Sequence, residues 1–212
     1  MTNTHPCRLA LPIALLLAAC GAEPSAATAN GPPVTPVAAD VETSTPPAQG
    51  DGKLTLAGPA GSEAIAAVLA EATRQGMKQV EIAGIQSFRV MDGSRQVATL
   101  ITGEGDMPDV QNAGCFVAVS QSGNVELIPT IGYGDYDAET CGGAVAVGLL
   151  SSGAKVRIGA IFRASSPSVE LTEPLVIDWD RSDGTLLIDT TVSRRVLDRG
   201  AQTIAAMRKL VR

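Results

Sequence analysis

From Ile85 to Asp189 the chain is a succession of β-branched and apolar runs broken by short glycine-bearing turns, and this rhythm limits the fold more than any other feature. Ile85 to Met91 and Gln96 to Thr102 flank Asp92-Gly93-Ser94, and Cys115 to Gln121 and Val125 to Ile131 flank Ser122-Gly123-Asn124. Ala144 to Leu150 and Val156 to Phe162 enclose a turn on Ser152-Gly153, and Leu175 to Trp179 and Thr185 to Asp189 one containing Asp183-Gly184. Glycine, asparagine and aspartate tolerate the positive φ that tight hairpin turns require, and β-branched side chains suit a pleated, half-buried surface. Each pair therefore predicts an antiparallel hairpin. No internal repeat is visible, and the hairpins differ too much from one another for a propeller.

Helical signals bracket this region. Lys53 to Ala57 predicts a short strand, after which Ser62 is expected to cap a helix. Ile65, Val68, Leu69 and Ala72 lie on one face, Glu63, Glu71 and Arg74 on the other, and Gly76 ends it. A second helix is predicted over Ala201 to Val211, with an apolar stripe of Ile204, Met207, Leu210 and Val211. Its basic end complements the helix dipole. The fold class expected is α+β: an antiparallel sheet or sandwich of about eight strands built from hairpins, with a helix near each end. It occupies residues 51–212 as a single globular domain, long enough to bury about two-thirds of its unfolded surface.

The N-terminus is a different kind of sequence. A short polar stretch holding Arg8 precedes the apolar run Leu9 to Ala19, broken only by Pro12. As helix, that run would span roughly 16 Å, about half of a bilayer's hydrocarbon core, which fits a signal-peptide core and not a membrane-spanning helix. It closes on Leu17-Ala18-Ala19-Cys20, which resembles the lipobox of bacterial lipoproteins. The resemblance implies a signal peptide over residues 1–19 and lipidation, palmitate included, of Cys20. It also implies attachment to the envelope membrane through that lipid. Gly21 stands where many inner-membrane lipoproteins have aspartate, so the outer membrane, facing the periplasm, is the expected location over the inner membrane. From Cys20 to Gly50 the chain is rich in proline, alanine and threonine and has no aromatic residue. Such a segment cannot bury enough apolar surface to offset the entropy of ordering, and it is expected to act as a disordered tether.

Cysteine and charge bear on function. With Cys7 removed and Cys20 lipidated, Cys115 and Cys141 remain, and in an oxidising envelope they are expected to form a disulfide. Free or metal-binding thiols are the alternative, but the sole histidine is His5, so zinc's usual partner is missing from the mature chain. The mature chain carries 15 basic against 22 acidic side chains, a net −7, which argues against nucleic-acid binding. No Lys or Arg occurs between Arg95 and Lys155, while Glu104, Asp106, Asp109, Glu126, Asp135, Asp137 and Glu139 all fall there. The last residues reverse the sign, with Arg194, Arg195, Arg199, Arg208, Lys209 and Arg212 against Asp198.

Loss of His5 with the signal peptide removes any Ser-His-Asp or Cys-His arrangement, and no GxSxG elbow occurs. One tryptophan and two tyrosines are few for a sugar cleft. The chain is therefore not expected to be an enzyme, and no cofactor or metal is expected. Two acidic clusters remain. Tyr133, Asp135, Tyr136, Asp137 and Glu139 precede Cys141 on one loop; the carboxylate spacing opens like a calcium loop, but Thr140 and Ala146 stand where glycine and the bidentate glutamate belong. Tyrosines among carboxylates on a disulfide-constrained loop suit protein binding, and this is the candidate site. The second cluster, Asp178-Trp179-Asp180-Arg181-Ser182-Asp183-Gly184, is explained by a hairpin turn with Trp179 in the core.

These readings converge on a non-catalytic envelope lipoprotein whose tethered acidic domain binds another envelope protein. One version is an inhibitor or immunity protein against a basic cell-wall hydrolase or toxin. The alternatives are an accessory lipoprotein of envelope assembly or transport, or a small-ligand or calcium-binding module.

Overall fold

The fold was analysed in a computed structural model, which describes residues 53–110, 112–153 and 155–211. The expected signal peptide, Cys20 and the tether to Gly50 lie outside the described residues. In chain order the elements are β1 (Leu54–Pro59), α1 (Ser62–Arg74), β2 (Lys78–Ile82), β3 (Phe88–Asp92), β4 (Arg95–Asp106), β5 (Ala113–Gln121), β6 (Asn124–Pro129), β7 (Thr140–Leu149), β8 (Lys155–Ser166), β9 (Val169–Asp180), β10 (Leu186–Ile188), α2 (Thr190–Asp198) and α3 (Ile204–Leu210).

The strands form two antiparallel sheets. One has the order β1-β3-β4-β5-β6, with β2 taking over the edge of β4 at Gly103 to Asp106, where β3 has ended. The other has the order β10-β9-β8-β7. All four expected hairpins are present. Ser122 and Gly123 adopt φ of 52° and 83°, the positive pair that a two-residue turn between β5 and β6 demands. Two further hairpins were not foreseen: β4–β5, closed where Asp106 pairs Ala113, and β8–β9, which pairs Lys155 with Asp180 through to Ser166 with Val169 and turns at Pro167-Ser168, without a glycine to announce it.

Side-chain alternation assigns the faces. Val156, Ile158, Ala160 and Phe162 of β8 and Leu175, Ile177 and Trp179 of β9 meet Leu100, Val117 and Val119 of the first sheet in an inter-sheet core. The opposite faces are apolar too. Ile101, Phe116, Ala118 and Leu127 lie under Val68 and Ala72 of α1, and Ile161 and Val176 lie under Val192 and Val196 of α2 and Met207 of α3. The result is four layers: helix, sheet, sheet, helices. Burial on both faces explains why β4 and β5 read as continuous apolar runs and not as alternation.

The helices correct the expectation in detail. The cap of α1 is Gly61, and Ser62 is its first helical residue, with no side-chain capping bond. Its end is as predicted: Gly76 adopts φ +86° and donates to Thr73 O, while Met77 N–H reaches Ala72 O. The C-terminal region holds two helices, not one. In α2, Asp189 accepts from Val192 N–H at 2.9 Å, and Ser193 Oγ accepts from Val176 N–H at 2.8 Å, so the helix closes the free edge of β9 beyond β10. Ala201 lies in the link before α3, whose cap is Thr203.

Gly103 illustrates how tightly the first sheet is packed. A Cβ there would meet the Phe116 ring and approach Glu81 O to 2.5 Å. We expect Gly103→Ala to lower stability by about 2 to 4 kcal/mol, read from urea unfolding. The disulfide between Cys115 on β5 and Cys141 on β7 joins the two sheets across the core, with Cα atoms 5.3 Å apart. Replacing both cysteines by serine is expected to cost roughly 3 to 4 kcal/mol in the same assay, since the bond closes a loop of 26 residues.

Candidate functional site

The acidic loop between β6 and β7 is built on Cys115. The Cys115 backbone N–H donates to Ile131 O at 2.9 Å and its carbonyl accepts from Thr130 N–H at 2.8 Å, which holds the start of the loop. Its sulfur holds the end through Cys141. Between these anchors Gly132 and Gly134 supply φ of 82° and 59°, and Gly134–Tyr136 forms a 3-10 turn. Gly132 N–H and Glu139 N–H both donate to Tyr136 O, at 3.0 and 3.2 Å. The loop is thus a defined surface, not a slack connection.

The turn sorts the candidate residues into two sets. Tyr133 is 46% exposed, and Asp135 and Asp137 are exposed beside it. Tyr136 and Glu139 turn inward and are half-buried, with Tyr136 packed against the inter-sheet core. Below them lies Glu173 of β9, only 5% exposed, on the same face as Leu175 and Ile177. Glu139 Oε2 is buried with no hydrogen-bond partner. Burial, and then the charge of Glu139, push the Glu173 carboxyl up to about 7. Burial also raises Glu139, and burial followed by the charge of Glu173 raises the Tyr136 hydroxyl. As pH falls below about 7, a proton on Glu173 therefore spares the interior a second charge beside Glu139.

Glu173 was missed at the sequence level, though a signal exists. It occupies the inward register of Leu171, Leu175, Ile177 and Trp179, and the lone acid at that register marks a buried charge.

The carboxylates do not converge on an ion: Asp135 and Asp137 point outward while Glu139 points in. Among the described residues no three His, Cys, Asp or Glu side chains are grouped so as to hold a metal. The second acidic cluster is a turn, as expected. Trp179 is buried, Asp180 accepts from Ser182 N–H and Oγ–H, Asp183 accepts from Thr185 N–H, and Asp178 is bonded by Arg157 at 3.0 Å. Comparison with protein-family models, curated proteins and solved structures finds no match to this chain.

The raised Glu173 carboxyl has a consequence for stability. In the unfolded chain it ionises near 4.5 and in the fold near 7, so the folded form binds the proton more tightly. The contribution of Glu173 to stability is fullest below pH 4.5, falls as pH rises through the window from 4.5 to about 7, and is level above it. The loss is on the order of 3 kcal/mol. Thermal midpoints of wild type across this window are expected to fall, and those of Glu173→Gln to fall less.

Proposed function

We propose that this chain is a non-catalytic, lipid-anchored envelope protein whose acidic domain binds another protein through the loop Tyr133 to Glu139. The observation that carries the reading is the outward set on that loop. Tyr133, Asp135 and Asp137 are presented together on a turn that Cys115 pins at both ends. An exposed tyrosine supplies contact area at low entropic cost, and a loop held in advance loses little freedom on binding. The two carboxylates select for a cationic surface and speed its arrival. The partner that fits is a basic protein, and within this reading the domain is an inhibitor or immunity protein against a basic cell-wall hydrolase or toxin. The lipobox-like segment and the Pro-rich stretch to Gly50 support placement on a tether. The outer membrane, facing the periplasm, is the site that Gly21 favours.

The test is a pull-down from envelope extract with the disulfide intact. Tyr133→Ala combined with Asp135→Asn and Asp137→Asn removes the outward set while leaving the Glu139–Glu173 pair in place. Capture of a basic wall-degrading enzyme by wild type, weakened at least tenfold in the triple variant, is the expected result. If both baits capture the same transport or assembly proteins, the loop is solvated surface and the accessory role replaces this one.

A further inference from the structure

Strand registers divide the sandwich into two ends. The β3–β4, β5–β6, β7–β8 and β9–β10 turns gather at one end, as does Lys53, where the described chain enters. Three contacts confirm that the sheets share this end. Lys53 to Leu56 line one groove with Val147 to Ser152, Arg181 pairs with Asp92 at 3.6 Å, and Gln121 donates to Arg181 O at 3.1 Å. The acidic loop, the disulfide and the β8–β9 turn lie at the other end. The length of β7 separates the two, about 30 Å at 3.3 Å per residue.

Charge follows this division. The acids in the turns of the entry end are largely used internally. Arg157 bonds Asp178 and Asp189 at 3.0 and 3.3 Å, Arg181 faces Asp92, and Asp180 and Asp183 accept hydrogen bonds within their own turn. Glu126 and Asp183 line a groove on the far side, between β6 and the β9–β10 turn. On the near side, Lys53 and Arg208 line the groove of about 500 Å³ between the β1 and β7 edges, and no acid among the described residues lines it. Arg95, Lys155 and Lys209 stand at the same end or on the same helix, all exposed. Among the described residues none of these five forms a salt bridge, although Lys155 lowers the Asp180 carboxyl through space.

We infer that this basic rim docks the domain on an anionic membrane surface, with the acidic loop directed away from it. The inference rests on the anchored reading for its orientation. The preceding chain joins the domain beside the cationic groove, so the end of the domain nearest the anchor along the chain is the rim and not the acidic loop. Net charge does not prevent docking. At physiological salt the screening length is about 8 Å, so an anionic surface seated on the near side feels Lys53, Arg208 and their neighbours more than Glu63, Glu126 and Asp183 across the same end, and little of the acidic loop roughly 30 Å behind.

The experiment uses the chain from residue 20 with Cys20→Ser, which carries no lipid, in sedimentation with two kinds of vesicle. One contains phosphatidylethanolamine with phosphatidylglycerol, and the other phosphatidylethanolamine with phosphatidylcholine. We expect co-sedimentation with the anionic vesicles alone, lost in about 1 M salt, where the screening length is ~3 Å. Lys53→Glu, Arg95→Glu and Lys209→Glu together are expected to weaken binding at least tenfold. An equal charge change away from the rim, Arg89→Glu, Arg163→Glu and Arg194→Glu, is expected to change it less than threefold. No binding by wild type, equal binding to both vesicles or equal loss in both variants would overturn the inference. Palmitate labelling of the native chain is scored separately: its absence removes the anchor, while the vesicle result still decides the docking surface.

Discussion

Cys115 is the point on which the two sheets and the acidic loop all depend. Its side chain crosses the inter-sheet core to Cys141, and its backbone bonds to residues 130 and 131 hold the other end of the loop. A single residue therefore fixes the sheet-to-sheet distance at one end of the sandwich and both feet of the loop that follows β6. The disulfide limits the unfolded chain, and the buried backbone bonds limit the native loop. A rigid, solvent-facing turn is the outcome.

A second constraint shapes everything around that point. Strands that are apolar on both faces cannot leave either face in water, so each sheet needs a helical cover as well as its partner sheet. Small residues make the covers possible. Gly148 of β7 lets α3 approach until Ile204 would contact any added Cβ at 2.6 Å, and Ala72 and Ala118 do the same work under α1. The edge of β7 is closed by side chains: Gln86 accepts from Val147 N–H, and Arg208 Nε–H donates to Leu149 O.

Within this frame Glu173 is an exception to the apolar register of its strand. It is retained at the inner face beside Glu139, and below about pH 7 its proton spares that half of the interior a second charge. The pair lies directly under the exposed tyrosine and aspartates of the loop, so the charge state of the interior and the surface above it belong to one structural unit. The basic rim lies at the opposite end of the same strands, which gives the domain a direction.

What the sequence determined by itself is local. Turn residues that accept positive φ, β-branched runs and the Gly76 stop signal specify four hairpins and α1 because each depends on neighbours a few positions away. The disulfide was legible from cysteine count, and the division of charge from its order along the chain. Tertiary structure decided the rest. The β8–β9 turn has no glycine, and α2 is nine residues with only Val192 and Val196 as large apolar residues in its buried stripe, so neither stands out locally. The inward turn of Tyr136 and Glu139, the meeting of Glu139 with Glu173 and the gathering of Lys53 with Arg208 join residues far apart in the chain. Such pairings arise only when the two sheets pack face to face, because packing, and not local preference, selects which side chains share a buried space.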